Sequence, residues 1–190
     1  MEWILASASP RRRELLGKLI EKFDIIPAKG EEVLHGEKTP EEVVKALAKQ
    51  KASEVATLPE TQGKAVLGSD TVVALDGEIL GKPKDEADAA RMLSALSGRT
   101  HEVYTGVCII YTNKNGGREI LCRADCTKVR FNVLTAEEIG AYIATGSPMD
   151  KAGAYGIQDG GLVQSIEGSF SNVVGLPVEL CEKMLAEINA

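Results

Sequence analysis

Residues 7–13 read Ser-Ala-Ser-Pro-Arg-Arg-Arg, and their order is chemically unusual. Ser9 is a good helix cap and Pro10 suits the first helical position. Arg11, Arg12 and Arg13 then crowd the end of the helix that carries partial positive charge, where each exposed cation costs roughly 0.3–1 kcal/mol. A solvated or ion-paired arginine run is one account of this. The other is an anion: free backbone N–H groups and guanidinium groups converging on one spot make a phosphate site.

A carboxylate supplies the second half of such a chemistry. Asp70 stands inside the apolar run Val66-Leu67-Gly68-Ser69-Asp70-Thr71-Val72-Val73. Asp is depleted in strands, and a buried carboxylate requires a cation, a metal or a donor. A structural Asp bonded to nearby backbone is the competing account. A two-residue turn at Asp76-Gly77 pairs Leu75 with Glu78. Counting back sets Thr71 opposite Lys82 and Asp70 opposite Pro83, so Lys82 is expected beside the Asp70–Thr71 step, barring a bulge at Gly68 or Gly81. Glu31 and Glu32 follow the second expected strand, and with Asp70 one of them completes an oxygen-rich site for magnesium or manganese. Solvation alone also accounts for two adjacent loop carboxylates. Lys51 ends a helix, where a cation suits the dipole. The segment 150–161, Asp-Lys-Ala-Gly-Ala-Tyr-Gly-Ile-Gln-Asp-Gly-Gly, is too glycine-rich for a packed element. Its Gln158 has a donor and an acceptor to offer a base edge.

Several other motifs fail. Residues 77–83 fall one short of a P-loop and place Pro83 where Ser or Thr would bind magnesium. There is no GxGxxG. His35 and His101 lack metal-ligand spacing.

The elements expected to position these groups are mixed α and β. Residues 3–6 read as a first strand, followed by a helix carrying Leu15, Leu16 and Leu19, and 23–27 as a second strand. Thr39-Pro40-Glu41-Glu42 opens a helix with a cap, a first-turn Pro and a capping box, running to Lys51. Residues 65–75 and 78–81 form a hairpin. A helix over 85–96 ends before Gly98. Strand-like runs over 102–112 and 118–133 are joined by a turn. A second capping box at Thr135 starts a helix to about 144. Residues 147–177 show little helical pattern, and 178–188 close as a helix.

Composition narrows the partners. The chain has 190 residues and 44% hydrophobic content, enough for a core. Lys and Arg number 22 against 28 Asp and Glu, a formal charge of −6. General attraction to nucleic acid or anionic membrane is therefore weak, and an anion must be captured locally. No apolar run approaches the ~20 residues of a membrane span. The four cysteines form no zinc pattern, and reduced thiols in a cytoplasmic protein are expected.

Seven blocks together resemble the Maf family of nucleoside triphosphate pyrophosphatases. They are Ser7–Arg12, Glu31-Glu32, Lys51-Ala52, Gly68–Val73, Leu80–Pro83, Leu96–His101 and Asp150–Gln158, in the family's order over nearly the whole chain. The resemblance implies one domain over 1–190. It implies an α/β fold: an elongated mixed, largely antiparallel sheet with flanking helices, two lobes around a cleft, akin to inosine triphosphate pyrophosphatases. It implies cleavage between the α and β phosphates with a divalent metal, Mg²⁺ or Mn²⁺. Asp70 matches the family's proton acceptor. Ser7, Arg11, Arg12, Glu32, Lys51 and Lys82 match other active-site positions, with Glu32 and Asp70 expected on the metal. The subgroup positions are Arg11, Thr71 and Gln158, which resemble the dTTP- and UTP-directed subgroup. A Gln suits the mixed edge of thymine or uracil. Hydrolysis of another nucleotide such as 7-methyl-GTP, or a regulatory role in septum formation, stays open, as does homodimerisation.

Overall fold

The structure is a computed structural model and describes residues 1–189. Its centre is a seven-stranded sheet: β1 (Trp3–Leu5), β2 (Asp24–Ile25), β3 (Ala65–Leu75), β4 (Glu78–Leu80), β5 (Thr100–Thr112), β6 (Arg118–Phe131) and β7 (Val163–Glu167). The order is β2-β1-β3-β5-β6-β7, with β4 added to β3. β1 pairs parallel with β2 and β3, and all other pairs are antiparallel. The expected mixed, largely antiparallel sheet is present.

Six helices flank the sheet: α1 (Pro10–Gly17), α2 (Pro40–Ala56), α3 (Glu86–Leu96), α4 (Ala136–Ala144), α5 (Phe170–Val174) and α6 (Val178–Asn189). Their starts follow the local chemistry. Arg12 N–H donates to the Ser9 hydroxyl at 3.4 Å. Thr39 with Glu42, and Thr135 with Glu138, form complete capping boxes. The β3–β4 turn puts Asp76 and Gly77 at φ 53° and 83°, the left-handed pair that a two-residue hairpin demands.

Alternation along β3 and β5 decides which helix covers which face. Val66, Cys108 and Ile110 pack with Ala48, Ala52 and Val55 of α2. Leu67, Val107 and Ile109 pack on the opposite face with Leu16, Leu176 and Met184. A third cluster joins α3 and α4 to Val103, Phe131 and Tyr155. Two glycines bring α2 unusually close to the sheet. A Cβ on Gly68 would collide with the Ala48 carbonyl oxygen, and one on Gly106 with that of Val44. The backbone of α2 therefore lies almost on β3 and β5.

The sheet is open at one place. β5 covers β3 from Val66 to Ala74 on one edge. On the other edge, β1 covers Ala65–Leu67 and β4 covers Val73–Leu75. Residues 68–72 of β3 have no strand beside them on that edge among the described residues.

The structure departs from the sequence expectations in five places. The second strand is two residues long rather than 23–27. α1 stops at Gly17, and Leu19 packs on its cluster from beyond the helix. Residues 147–177 hold three short 3-10 turns, β7 and α5. α5 is a five-residue helix with Ser9-like capping by Ser169, too short to show a helical period. The β3–β4 ladder ends at Val73↔Leu80, so Thr71 and Lys82 are not paired; the chain leaves the sheet at Gly81. Cys108 and Cys122, expected as free thiols, are cross-strand partners joined by a disulfide. Cys126 and Cys181 are free.

Candidate active site

The gap in the sheet is where Ser7, Arg12, Glu32, Lys51, Asp70 and Thr71 meet. Asp70 and Thr71 are consecutive on the open edge, so their side chains leave by opposite faces. Asp70 faces α2. Lys51, one turn from the end of that helix, reaches it with Nζ 2.5 Å from the carboxylate. The same Nζ lies 2.8 Å from Glu32. Lys51 thus bridges two carboxylates from distant segments. Asp70 is 8% exposed, and burial pushes its carboxyl above the ordinary range, against the pull of Lys51 and Arg12. Gly68 and Gly106 make this cluster possible, because only the close seat of α2 lets Lys51 reach the strand.

Thr71 faces the other way, toward α1 and α5. Arg12 meets it there in a three-way fork. Nε donates to the Gly175 carbonyl at 2.8 Å, Nη1 to the Ser7 hydroxyl at 3.4 Å and Nη2 to the Thr71 hydroxyl at 3.1 Å. Ser7 Oγ also accepts from Ser9 N–H at 3.2 Å, which leaves its own proton for a further acceptor. Burial lowers the Arg12 pKa, and Asp70 opposes that.

The three arginines divide. Arg12 is locked in the fork. Arg11 lies close enough to the 150–161 loop to help lower the pKa of Asp150, after Lys151, and that of Asp159, where burial pushes it up against the stronger combined pull of Ser147, Tyr142 and Lys151. Arg13 lines a groove of about 1100 Å³ with Trp3, Glu14, Phe23 and Asp24. That groove lies against the β2 edge and includes none of Asp70, Lys51 or Arg12. The charges therefore converge outside this groove.

The glycine-rich loop is better ordered than its composition suggests. Gly153 N–H donates to the Gly81 carbonyl at 3.0 Å, tying the loop to the residue before Lys82. Tyr155 is buried, with its hydroxyl 2.7 Å from His101 Nε2. Lys151 Nζ donates to the Ser147 carbonyl at 2.6 Å and reaches Asp150 at 2.9 Å. Lys82 and Gln158 are exposed, and neither bonds to Asp70 or Thr71 among the described residues. Lys82 lies two residues beyond the last ladder pair, Val73↔Leu80. Thr105, Asn172, Gly106 and Gly175 were not singled out by sequence. Only the register of β5 against β3 reveals the first and third, and only the fold brings in the others.

The donor set fits a hard divalent cation. Asp70 and Glu32 already share one positive charge, that of Lys51. Magnesium is commonly held by one or two carboxylates with the rest of its shell from water and phosphate. No group of three or more His, Cys, Asp and Glu side chains forms a metal cage among the described residues.

Comparisons with known proteins agree on the family. The family model described as Maf-like protein matches residues 2–188. A dTTP/UTP pyrophosphatase of Agathobacter rectalis is 50% identical over 188 residues, covering 92% of this chain and 91% of that protein. One from Thermococcus gammatolerans is 51% identical over 183 residues, covering 95% and 94%. A similarly named protein of Bacillus velezensis is 49% identical over 188 residues, covering 98% and 96%. Among solved structures, a HAM1 protein from Coxiella burnetii superposes with a TM-score of 0.55 at 17% identity, over 98% of this chain and 99% of that one; it shares the fold. With the motifs in order, the site assembled at the sheet gap and relatives at half identity over nearly their full length, the chain belongs to the Maf family.

Proposed function

We propose that this chain hydrolyses dTTP and UTP to the nucleoside monophosphate and pyrophosphate, with residues 1–190 acting as one catalytic unit. The carrying observation is the Asp70–Lys51–Glu32 cluster beside the Arg12 fork: a buried carboxylate and three kinds of phosphate donor around one gap. The names of the relatives at about half identity support the substrate.

The residues divide the work as follows. Asp70 accepts a proton from water as its oxygen bonds to the α phosphorus. The bond from that phosphorus to the bridging oxygen breaks, and pyrophosphate leaves with the bond's electrons. Arg12, Lys51 and the Ser7 hydroxyl stabilise charge that grows on the phosphate oxygens. Lys82 reaches the leaving pyrophosphate from the chain just beyond β4. Asp70 and Glu32 would hold Mg²⁺ or Mn²⁺, which supplies charge neutralisation across the phosphates. Arg11, Thr71 and Gln158 select the pyrimidine nucleotide.

Free nucleotides as substrates fit a cytoplasmic location. No helix among the described residues is long and apolar enough to cross a membrane. Septum regulation has no separate feature in its favour.

Pyrophosphate release from a panel of triphosphates tests the reading. dTTP and UTP are expected to lead, with 7-methyl-GTP and purine nucleotides far behind. Asp70→Asn is expected to lower kcat by about 10²–10⁴-fold, the range of a lost general base. A chelator is expected to stop turnover, with Mg²⁺ or Mn²⁺ restoring it. Full activity in Asp70→Asn, or preference for 7-methyl-GTP, overturns the assignment.

A further inference from the structure

Arg12 is held by acceptors, and one of them is a hydroxyl whose direction is not free. Thr71 Oγ1 lies 3.1 Å from Arg12 Nη2 and 2.9 Å from Thr105 Oγ1. Thr105 is fully buried. Its hydroxyl lies 2.9 Å from the Asn172 carbonyl oxygen, which can only accept. A threonine has one proton to donate. Thr105 gives its proton to that carbonyl, so Thr71 must donate to Thr105. Thr71 then has only lone pairs to offer on the side of Arg12, and Arg12 donates into them.

The result is one directed chain: Arg12 Nη2–H to Thr71, Thr71 O–H to Thr105, Thr105 O–H to the Asn172 carbonyl. Each bond in such a chain polarises the next. Its far end is fixed. The Asn172 amide donates to the Val103 carbonyl at 2.9 Å and to the Thr127 hydroxyl at 3.0 Å. The same short helix ends at Gly175, whose carbonyl accepts from Arg12 Nε at 2.8 Å and from Ser69 at 3.2 Å. Arg12 is therefore clamped at both ends by α5, directly at Gly175 and through two threonines at Asn172.

We infer that Thr105 is a positioning residue for substrate phosphate: it sets Thr71 as an acceptor and so holds the Arg12 guanidinium in its phosphate-facing pose. Thr105 touches no substrate. This rests on the reading of Arg12 as a phosphate ligand. It also refines the part played by Thr71, which on this geometry acts on selectivity through Arg12 as well as through any contact with the nucleotide.

Without the Thr105 hydroxyl, Thr71 can turn its proton toward the cleft and no longer presents a fixed acceptor. Thr105→Val keeps the shape and β-branching and removes only the chain. The expected result with dTTP is a KM raised about tenfold, as for loss of a hydrogen bond to a charged group. The inhibition constant of pyrophosphate should rise in parallel, and kcat should change less than threefold. Thr105→Ser keeps the hydroxyl and should restore both constants. A merely structural role predicts the opposite pattern: lower melting temperature, Ser no better than Val, and KM and pyrophosphate inhibition unmoved. Thr105→Ala is the second variant if the Val protein fails to fold. Arg12→Met run alongside separates the two readings. If Arg12→Met raises KM strongly while both Thr105 variants bind dTTP and pyrophosphate normally, the inference about Thr105 is overturned and the phosphate role of Arg12 stands. If Arg12→Met itself leaves KM and pyrophosphate inhibition unchanged, the phosphate reading falls and Thr105 falls with it.

Discussion

His101 makes a stability prediction that can be worked through to a number. Its ring is 1% exposed and packs edge-on against Phe131 and Tyr155, with centroids 5.0 Å and 5.3 Å away. Nε2 bonds the Tyr155 hydroxyl, and Nδ1 has no hydrogen-bond partner among the described residues. A protonated imidazolium would bury a charge with one N–H unanswered. Burial accordingly pulls the His101 pKa down from 6.5 to about 4. Between those values the unfolded chain binds a proton that the native protein refuses. Falling pH therefore favours unfolding, and the stability is fully present above pH 6.5 and lost on the way down to about 4. Taken between pH ~7 and ~4.5, the loss from this one group is about 2.5 kcal/mol. The assay is urea unfolding of the wild type and of His101→Gln at both pH values. The glutamine amide can still meet the Tyr155 hydroxyl but does not titrate. Carboxylates titrate in both proteins, so the difference between the two pH effects isolates His101. The wild type should lose about 2.5 kcal/mol more than the variant over this interval. Parallel losses would refute the argument that His101 is held neutral by burial.

Two further outcomes follow from the geometry of α2 and α1. Gly106→Ala places a methyl group against the Val44 carbonyl oxygen, which should cost about 1–3 kcal/mol in urea unfolding by overpacking. It should also lower kcat/KM at least tenfold, because α2 carries Lys51 and has to lift away from Asp70. Arg13→Ala should leave KM and kcat for dTTP within about twofold, since Arg13 faces the groove beside β2 and not the fork; a loss comparable to that of an Arg12 variant would show the arginine run acting as one phosphate site.

What could be read from the sequence and what could not separate along a physical line. Capping boxes at Thr39 and Thr135, the Asp76-Gly77 turn, the apolar run of β3 and the strand-like runs of β5 and β6 are local signals, and each produced its element. Asp70 stood out because a carboxylate in an apolar run demands a partner, and Lys51 is that partner. The nature of the link was not local: it depends on glycines 68 and 106 sharing the face under α2, two residues apart in register, which requires knowing the β3–β5 register. Counting residues through the hairpin misplaced Lys82, because pairing ends three residues after the turn. α5 was invisible because five residues carry no periodicity, yet its C-cap carbonyl at Gly175 accepts from Arg12 and its Asn172 carbonyl anchors Thr105. Cys108 and Cys122 gave no pattern in sequence and become neighbours only as cross-strand partners.

The opening in the sheet explains why these particular residues had to be consecutive. A strand covered on both edges buries its backbone and offers ligands only side chains on one face at a time. At residues 68–72 of β3 one edge has no strand beside it among the described residues, so side chains from both faces border the same space. Asp70 reaches it from the face of α2 with Lys51 and Glu32, and Thr71 from the face of α1 and α5 with Arg12. Asp70 and Thr71, the acceptor that holds Arg12, are thus adjacent in sequence and opposite in direction. A one-residue slip of β3 against β5 would exchange their faces, putting Thr71 under α2 and turning Asp70 toward Arg12. Gly68, which helps seat α2, would leave its face in the same slip. The register of this one strand pair therefore specifies the core and the chemistry together, and a bulge introduced between Gly68 and Val73 should abolish turnover even where the sheet still forms.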